Sequence, residues 1–357
     1  MKLCDVYFEM AAKFLGRSNL AIALLLCCGG LICCSELSAT PFYIGAQKEK
    51  KNQLKPVSAK KALQKPNALW FLDCASYKDE ELIFLRSKKV VSHGKSAFQK
   101  YAIVDTKSWG RVLFMDGESQ SAESDEYLYH ESFVHPAMVA HPNPKTVLVI
   151  GAGEGAAARE ILKHPSVERV VLVDIDGEVI RAVKKYLTSW HQGSFDNPKV
   201  QLLIQDGKKY VQTTNEKFDV VYIDVCDKLE KAGPVTELYT PAFDNAVKKI
   251  LTPSGIVAVQ AMELQQTAGS SDLGNVSKNL KQVFPHVHTY GMFIPSFYST
   301  WGFVVATQTP VVATLTPEKI DDILSQRNLS SKLRHYDGLT HQHMFTLPKT
   351  VRNTLEH

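Results

Sequence analysis

The sequence predicts an α/β fold, with a mostly parallel central sheet flanked by helices and a small antiparallel β domain ahead of it. Apolar runs of strand length alternate with helix-forming stretches between Val147 and Val283. Four of those runs stop at or just before an acid, which gives Glu154, Asp174, Asp206 and Asp224. Ligands of an open parallel sheet bind beyond the carboxyl ends of its strands, so these four acids are expected to converge. Upstream, the segments between Trp70 and Met115 are short, partly alternating and separated by Gly, Ser and Asp, as in an antiparallel sheet.

At 357 residues, 45% hydrophobic and 22% charged, the chain can bury a sizeable core. The net charge of +4 is uneven: residues 1–66 hold 10 Lys and Arg against 4 acids, leaving 31 against 33 for the rest. Nothing in the acidic remainder calls for nucleic acid. Leu20–Cys34 is an apolar stretch of 15 residues preceded by Lys13 and Arg17. It resembles a secretory signal peptide more than a membrane span, which needs about 20 apolar residues. Gln47–Pro66 reads as a basic linker or second targeting segment. The expected destination is the secretory pathway or an organelle, with a signal anchor as the one route to a membrane and a cytoplasmic form as the alternative. Five of seven cysteines, at 4, 27, 28, 33 and 34, fall in the leader, and distant Cys74 and Cys226 give neither a disulfide framework nor a metal-ligand spacing. No metal is expected. The predicted division is 1–66 targeting segment and linker, 67–144 N-terminal β domain, and 145–357 catalytic domain.

In the β domain, Leu82–Leu85, Lys89–Val91, Gln99–Val104 and Arg111–Met115 read as strands, and Asp116-Gly117 as a turn leading to Gln120. A helix is expected from Ser124 through Glu131. Helical spacing puts Asp125, Tyr129 and Ser132 on one face, with His130 and Glu131 beside it, as a polar wall of a pocket.

Gly151-Ala-Gly-Glu-Gly155 then ends a buried strand and opens a helix. Gly151, Gly153 and Gly155 let the backbone turn sharply against a ligand. Glu154 would repel a phosphate, so a cationic or neutral nucleoside such as an S-adenosyl sulfonium suits the turn better than NAD. About twenty residues on, Asp174 is placed to hold a ribose hydroxyl pair. Helices at 178–187, 242–251 and 275–283 and strands at 200–204, 218–223, 255–260 and 302–306 complete the pattern, the last strand antiparallel. With Asp227 three residues past Asp224, a site this acidic suits a polycation such as a polyamine.

From about Leu69 to its end the chain resembles the polyamine aminopropyltransferases, the spermidine and thermospermine synthases. The motifs are Phe98-Gln99, Asp116-Gly-Glu-Ser-Gln120, Asp125-Glu-Tyr-Leu-Tyr-His-Glu131, Gly151-Ala-Gly-Glu-Gly155, Asp174-Ile-Asp176, Asp206-Gly207, Asp224-Val-Cys-Asp227, Gly233-Pro234, Leu238-Tyr239, and Ile294-Pro-Ser-Phe297 with Trp301-Gly302. The resemblance implies a methyltransferase-like Rossmann domain behind the β domain, in a homodimer or homotetramer. It implies transfer of the aminopropyl group of decarboxylated S-adenosylmethionine, a co-substrate and not a permanently bound cofactor, onto a polyamine nitrogen with release of 5′-methylthioadenosine. By the same matching, Asp224 is the base and Tyr129 orients the amine. Gln99, Gly151, Gly153, Glu154, Asp174, Asp206 and Gly207 hold the nucleoside co-substrate. His130, Glu154, Asp227, Tyr298 and Trp301 face the acceptor.

Within that family, Glu154, Tyr129-His-Glu131 and the 294–302 segment are closer to thermospermine synthases. This implies spermidine as acceptor, giving thermospermine or spermine, with putrescine as the alternative. A methyltransferase and a non-catalytic polyamine-binding protein are the remaining readings. The chain departs from the family at Lys228, where a proline is usual, in a 228–233 loop about one residue longer, and at Ala152.

Overall fold

The computed structural model describes residues 42–43, 69–73, 83–225, 235–264, 272–312 and 315–356. The expected leader, the whole Gln47–Pro66 linker, Asp227, Lys228 and the rest of the 228–233 loop lie outside the described residues.

Six antiparallel strands pair in chain order: β1 Phe42–Tyr43, β2 Leu69–Asp73, β3 Ile83–Lys95, β4 Lys100–Thr106, β5 Arg111–Met115 and β6 Glu118–Ala122. Where the sequence suggests two strands at 82–85 and 89–91 there is a single one, β3. Its polar stretch Arg86-Ser-Lys-Lys89 looks like a turn in one dimension, yet it pairs on both sides, with β2 and β4. Breaks in register after Ser87 and after Val90 absorb the irregularity as bulges. Tyr43 pairs with Leu69, so Phe42–Tyr43, between the expected leader and the linker, join the sheet edge. The turn at Asp116-Gly117 is as expected, with φ of 50° and 93° at the two residues.

Helix α1, Glu126–Ala140, leads into the second sheet and has 12 of its 15 residues buried. A helix enclosed this fully must satisfy its polar side chains internally. That demand organises much of the site below.

The second sheet has seven strands: β7 Thr146–Ile150, β8 Arg169–Asp174, β9 Val200–Ile204, β10 Phe218–Ile223, β11 Leu251–Glu263, β12 His286–Ile294 and β13 Ser299–Thr307. Their order across the sheet is β12-β13-β11-β10-β7-β8-β9. The five strands β11-β10-β7-β8-β9 pair in parallel, and β13 runs antiparallel to both of its neighbours, β11 and β12. Between them pass α2 Ala156–Leu162, α3 Gly177–Tyr186, α4 Gly207–Thr213, α5 Pro241–Ile250 and α6 Asp272–Lys281. Both faces of the sheet are covered at its centre, so central strands such as β7, β8 and β10 carry continuous apolar runs. In β7, Val147 and Val149 join one core cluster while Leu148 and Ile150 join the other. Strands β7 and β10 lie side by side although β8 and β9 separate them in the chain. The winding direction changes there, and at such a switch point the connections diverge to open a crevice beyond the strand ends.

Candidate active site

The crevice is built first from backbone. Gly151 N–H donates to the Val173 carbonyl and Asp224 N–H to the Ile150 carbonyl, each at 2.8 Å, extending the ladder past the ends of β7 and β10. This brings the glycine turn and Asp224 into contact. Gly151 has φ of 86°, and a Cβ there would lie 1.9 Å from the Asp224 carbonyl oxygen. Gly153, with φ of 46°, has no atom within 4 Å of where its Cβ would be. One glycine therefore serves internal packing and the other leaves space open.

Eleven of the thirteen residues singled out from the sequence line a single cavity at this point: Gln99, Tyr129, His130, Gly151, Gly153, Glu154, Asp174, Asp206, Gly207, Asp224 and Trp301. Asp227 lies outside the described residues. Tyr298 is a correction. The turn Pro295–Phe297 ends at Tyr298 in a left-handed conformation (φ 57°), which carries the ring to the surface, 48% exposed. There its hydroxyl accepts a bond from Trp109 Nε1 at 3.2 Å, and Phe297 lines the cavity in its stead.

On the nucleoside side, Asp174 ends β8 with both oxygens engaged, one by Asp176 N–H at 2.8 Å and one by Gly153 N–H at 3.2 Å. Asp206 caps α4 by accepting from Lys208 N–H at 2.8 Å, so a helix-capping role accounts for one of its oxygens. The first sheet supplies the facing wall through Gln99, Met115, Ser119 and Gln120. It is fastened to the second sheet at Asp176. That carboxylate accepts from Ser96 Oγ at 2.5 Å and Gln99 Nε2 at 3.1 Å, and also caps α3.

On the other side, Tyr129 donates its hydroxyl hydrogen to Asp224 Oδ1 at 2.6 Å. Its ring lies edge-on to Phe303 and Phe297, and Phe297 is edge-on to Trp301. Gln260, not among the sequence candidates, binds this wall together. Its Oε1 accepts from Trp301 Nε1 at 3.1 Å while its Nε2 donates to the Val225 carbonyl at 2.5 Å. The available signal was one amide side chain at the end of an apolar strand, buried between Val259 and Ala261.

The expected polar face of α1 is split. Tyr129 and His130 reach the cavity. Asp125 instead accepts from Ser296 N–H at 2.7 Å, steadying the 295–297 turn, and Ser132 is fully buried away from the cavity. Glu131 accepts N–H bonds from Arg334, His335 and Tyr336, anchoring the C-terminal segment. The helix is enclosed on nearly every side, so neighbours in space and not one solvent-facing stripe decide where each polar group points.

Burial pushes the Asp224 carboxyl up to about 6, with Glu154 and Asp174 adding repulsion and the Tyr129 hydroxyl and His130 opposing. Burial likewise raises Glu154 against the pull of His130, and raises Asp174 against the N–H groups of Asp176 and Gly153. Three acids that resist ionising together form a site short of cations, able to bind a polycation and to take a proton from it.

Known proteins resemble this chain in sequence and fold. Residues 126–316 match the family model for the spermine/spermidine synthase domain, and residues 69–123 the one for the spermidine synthase tetramerisation domain. The chain is 40% identical over 275 residues to polyamine aminopropyltransferase 2 of Hyperthermus butylicus, covering 77% of this chain and 89% of that protein. It is 38% identical over 289 residues to the thermospermine synthase ACAULIS5 of Arabidopsis thaliana, covering 80% and 84%. A crystal structure of spermidine synthase in complex with the transition-state analogue AdoDATO superimposes with a TM-score of 0.74 at 31% identity, covering 82% of this chain and 97% of that one.

Proposed function

The chain belongs to the polyamine aminopropyltransferase family, and on that footing we propose that it transfers the aminopropyl group of decarboxylated S-adenosylmethionine to a polyamine amine. The observation that carries this is the Tyr129–Asp224 pair at the end of β10, inside a ring of acids. A free alkylamine is almost wholly protonated near neutral pH and cannot attack. Asp224 takes that proton, aided by a pKa raised toward the working range. The amine nitrogen forms its bond to the propyl carbon as the carbon–sulfur bond breaks. The sulfur keeps the electron pair and leaves as the neutral thioether 5′-methylthioadenosine. Asp174 holds the ribose hydroxyls, Asp206 and Gly207 the adenine, and Gln99 the region near sulfur. Glu154, His130 and Trp301 bound the amine-bearing chains, and Asp227 takes the distal ammonium. S-adenosylmethionine itself carries a carboxylate that these acids repel, which disfavours methyl transfer.

We assign spermidine as the acceptor, giving thermospermine or spermine. This rests on Glu154, Tyr129-His-Glu131 and the 294–302 segment, together with the likeness to the Arabidopsis thermospermine synthase. Chromatographic identification of products, with decarboxylated S-adenosylmethionine supplied alongside spermidine or putrescine, tests both levels. Methylthioadenosine formed with neither amine overturns the activity, and turnover of putrescine alone overturns the acceptor. The division 67–144 and 145–357, and a dimer or tetramer built through the first sheet, complete the reading; light scattering of the purified chain tests the assembly. The leader is assigned to secretory or organelle delivery, to be tested with a fluorescent fusion. Among the described residues no helix is long and apolar enough to cross a membrane.

Two further outcomes are expected. Cation binding favours ionised carboxylates, so polyamine binding lowers the raised pKa values of Asp224, Glu154 and Asp174 and releases protons. Calorimetry in buffers of different ionisation enthalpy is expected to detect that release near pH 6, with affinity rising as pH increases through this range. Gly153→Ala is expected to cost about 1 kcal/mol of stability. Its new methyl enters open space beside the nucleoside and is expected to raise the KM for decarboxylated S-adenosylmethionine about tenfold, with the acceptor KM unchanged.

A further inference from the structure

Beside the cavity lies a buried ion cluster that the chemistry above does not use. Arg159, on α2, grips Glu126, on α1, with Nη1 to Oε1 at 3.0 Å and Nη2 to Oε2 at 2.9 Å. The same guanidinium donates to Glu160 Oε1 at 2.8 Å and to the Trp190 carbonyl at 2.6 Å. Glu126, Arg159 and His130 are all buried. His130 Nδ1 lies 2.9 Å from Glu126 Oε2 and 2.7 Å from the Glu126 backbone carbonyl oxygen.

Both of those oxygens accept. The carbonyl can do nothing else, and a carboxylate forked by an arginine is ionised. Nδ1 must therefore carry the hydrogen. In the neutral ring, that leaves the lone pair on Nε2, at the far edge from Glu126. His130 lines the cavity, and no described group bonds its Nε2.

We propose that Glu126, clamped by Arg159, is a positioning residue that holds His130 as its Nδ1–H form and so presents the Nε2 lone pair to the cavity as an acceptor for an N–H of the polyamine. The identity of the amine ligand rests on the aminopropyl-transfer reading; the fixed ring form does not. A histidine free to choose would spend part of its time with Nε2–H outward, presenting a donor to a ligand that has only donors when charged. Acids also face the ring from outside α1: Glu154 from the glycine turn, and Asp224 beyond β10 past the Tyr129 ring. Burial and Arg159 oppose a second proton on the ring, but Glu126 and Glu154 outweigh them and raise its pKa; a polycation bound among these acids takes the place of that proton and leaves the neutral ring accepting.

The deciding measurement uses the wild-type chain. In protein labelled with nitrogen-15 histidine, on the alkaline plateau of the ring titration, His130 is identified by the signal lost in His130→Gln. Its Nδ1 is expected at the shift of a protonated ring nitrogen and its Nε2 at that of an unprotonated one. Spermidine is expected to move the Nε2 resonance. A protonated Nε2, or no response of Nε2 to spermidine or putrescine, overturns the proposal whether or not the protein transfers aminopropyl groups. If the shifts are as expected and no methylthioadenosine forms, the functional reading fails and the fixed ring stands. In the folded Glu126→Gln protein the ring is expected to become a mixture of forms. The acceptor KM should rise about tenfold, with the KM for decarboxylated S-adenosylmethionine within about twofold. Adding Glu126→Gln to His130→Ala should then change the acceptor KM by less than about twofold; a full additional loss would mean that Glu126 acts on the fold and not through the ring.

Discussion

Replacing Asp224 by Asn lowers kcat by about 10² to 10⁴, the range general-base catalysis supplies, and at the same time stabilises the protein. The two effects share one cause. The amide keeps an oxygen for the Tyr129 hydroxyl, so the geometry survives, but it cannot take a proton. The folded-state pKa of Asp224 is raised to about 6 from an ordinary carboxylate value. Stability from the bound proton is therefore fully present below the unfolded pKa and is lost as pH rises through 6. At pH 8 the wild-type chain carries a buried carboxylate, and the variant does not. A shift of about two pH units corresponds to roughly 3 kcal/mol, so the variant is expected to melt several degrees higher at pH 8, with the gap closing below pH 6. Wild-type kcat/KM should fall as pH drops through 6, while residual activity of the variant stays flat there. Full activity in the Asn variant, or an unchanged melting temperature at pH 8, removes Asp224 from this role.

Gly151→Ala is the second severe change, and it acts on the same residue from behind. The methyl would meet the Asp224 carbonyl oxygen at 1.9 Å, and φ of 86° is strained for any residue with a side chain. Neither group can retreat easily, since Gly151 N–H and Asp224 N–H both bond to strand-end carbonyls. Strain and overpacking together are expected to cost about 3–5 kcal/mol, a fall of roughly 10 °C in Tm. Whatever fraction folds should have lost most of its turnover because the base is displaced. Thermal denaturation and single-turnover rates measure the two losses separately. Near-normal values for both would mean that the turn is softer than its contacts imply. The contrast with Gly153→Ala, two residues away, is the sharper test, because it separates packing from ligand contact within one motif.

The acid ring was legible because each member follows a strand rich in apolar residues, so the apolar run and the carboxylate beyond it lie close in sequence. The crevice itself followed from strand order, which alternating strands and helices strongly restrict. Other features depend on contacts that sequence distance hides. Strand β6 reads Glu-Ser-Gln-Ser-Ala, with no apolar alternation; Ser121 is buried there because the Trp190 indole donates to it from 69 residues away. Strand β12 was missed beside the legible β13, since an edge strand that begins His-Val-His-Thr lacks the continuous apolar run of its partner. The expectation that Tyr298 faces the acceptor failed because one backbone angle at the end of a short turn decides which of two adjacent rings points inward. Gln260 carried no local signal beyond being polar in an apolar strand.

The wall contributed by the first sheet, Gln99, Met115, Ser119 and Gln120, contains no ionisable group, whereas every acid of the ring belongs to the second sheet. Shape and charge thus reside on separate stretches of chain, joined by the bonds of Ser96 and Gln99 to Asp176. Drift in the first stretch can remodel which nucleoside or amine fits while leaving proton transfer intact. An enzyme arranged this way can diversify its substrates without relearning its chemistry.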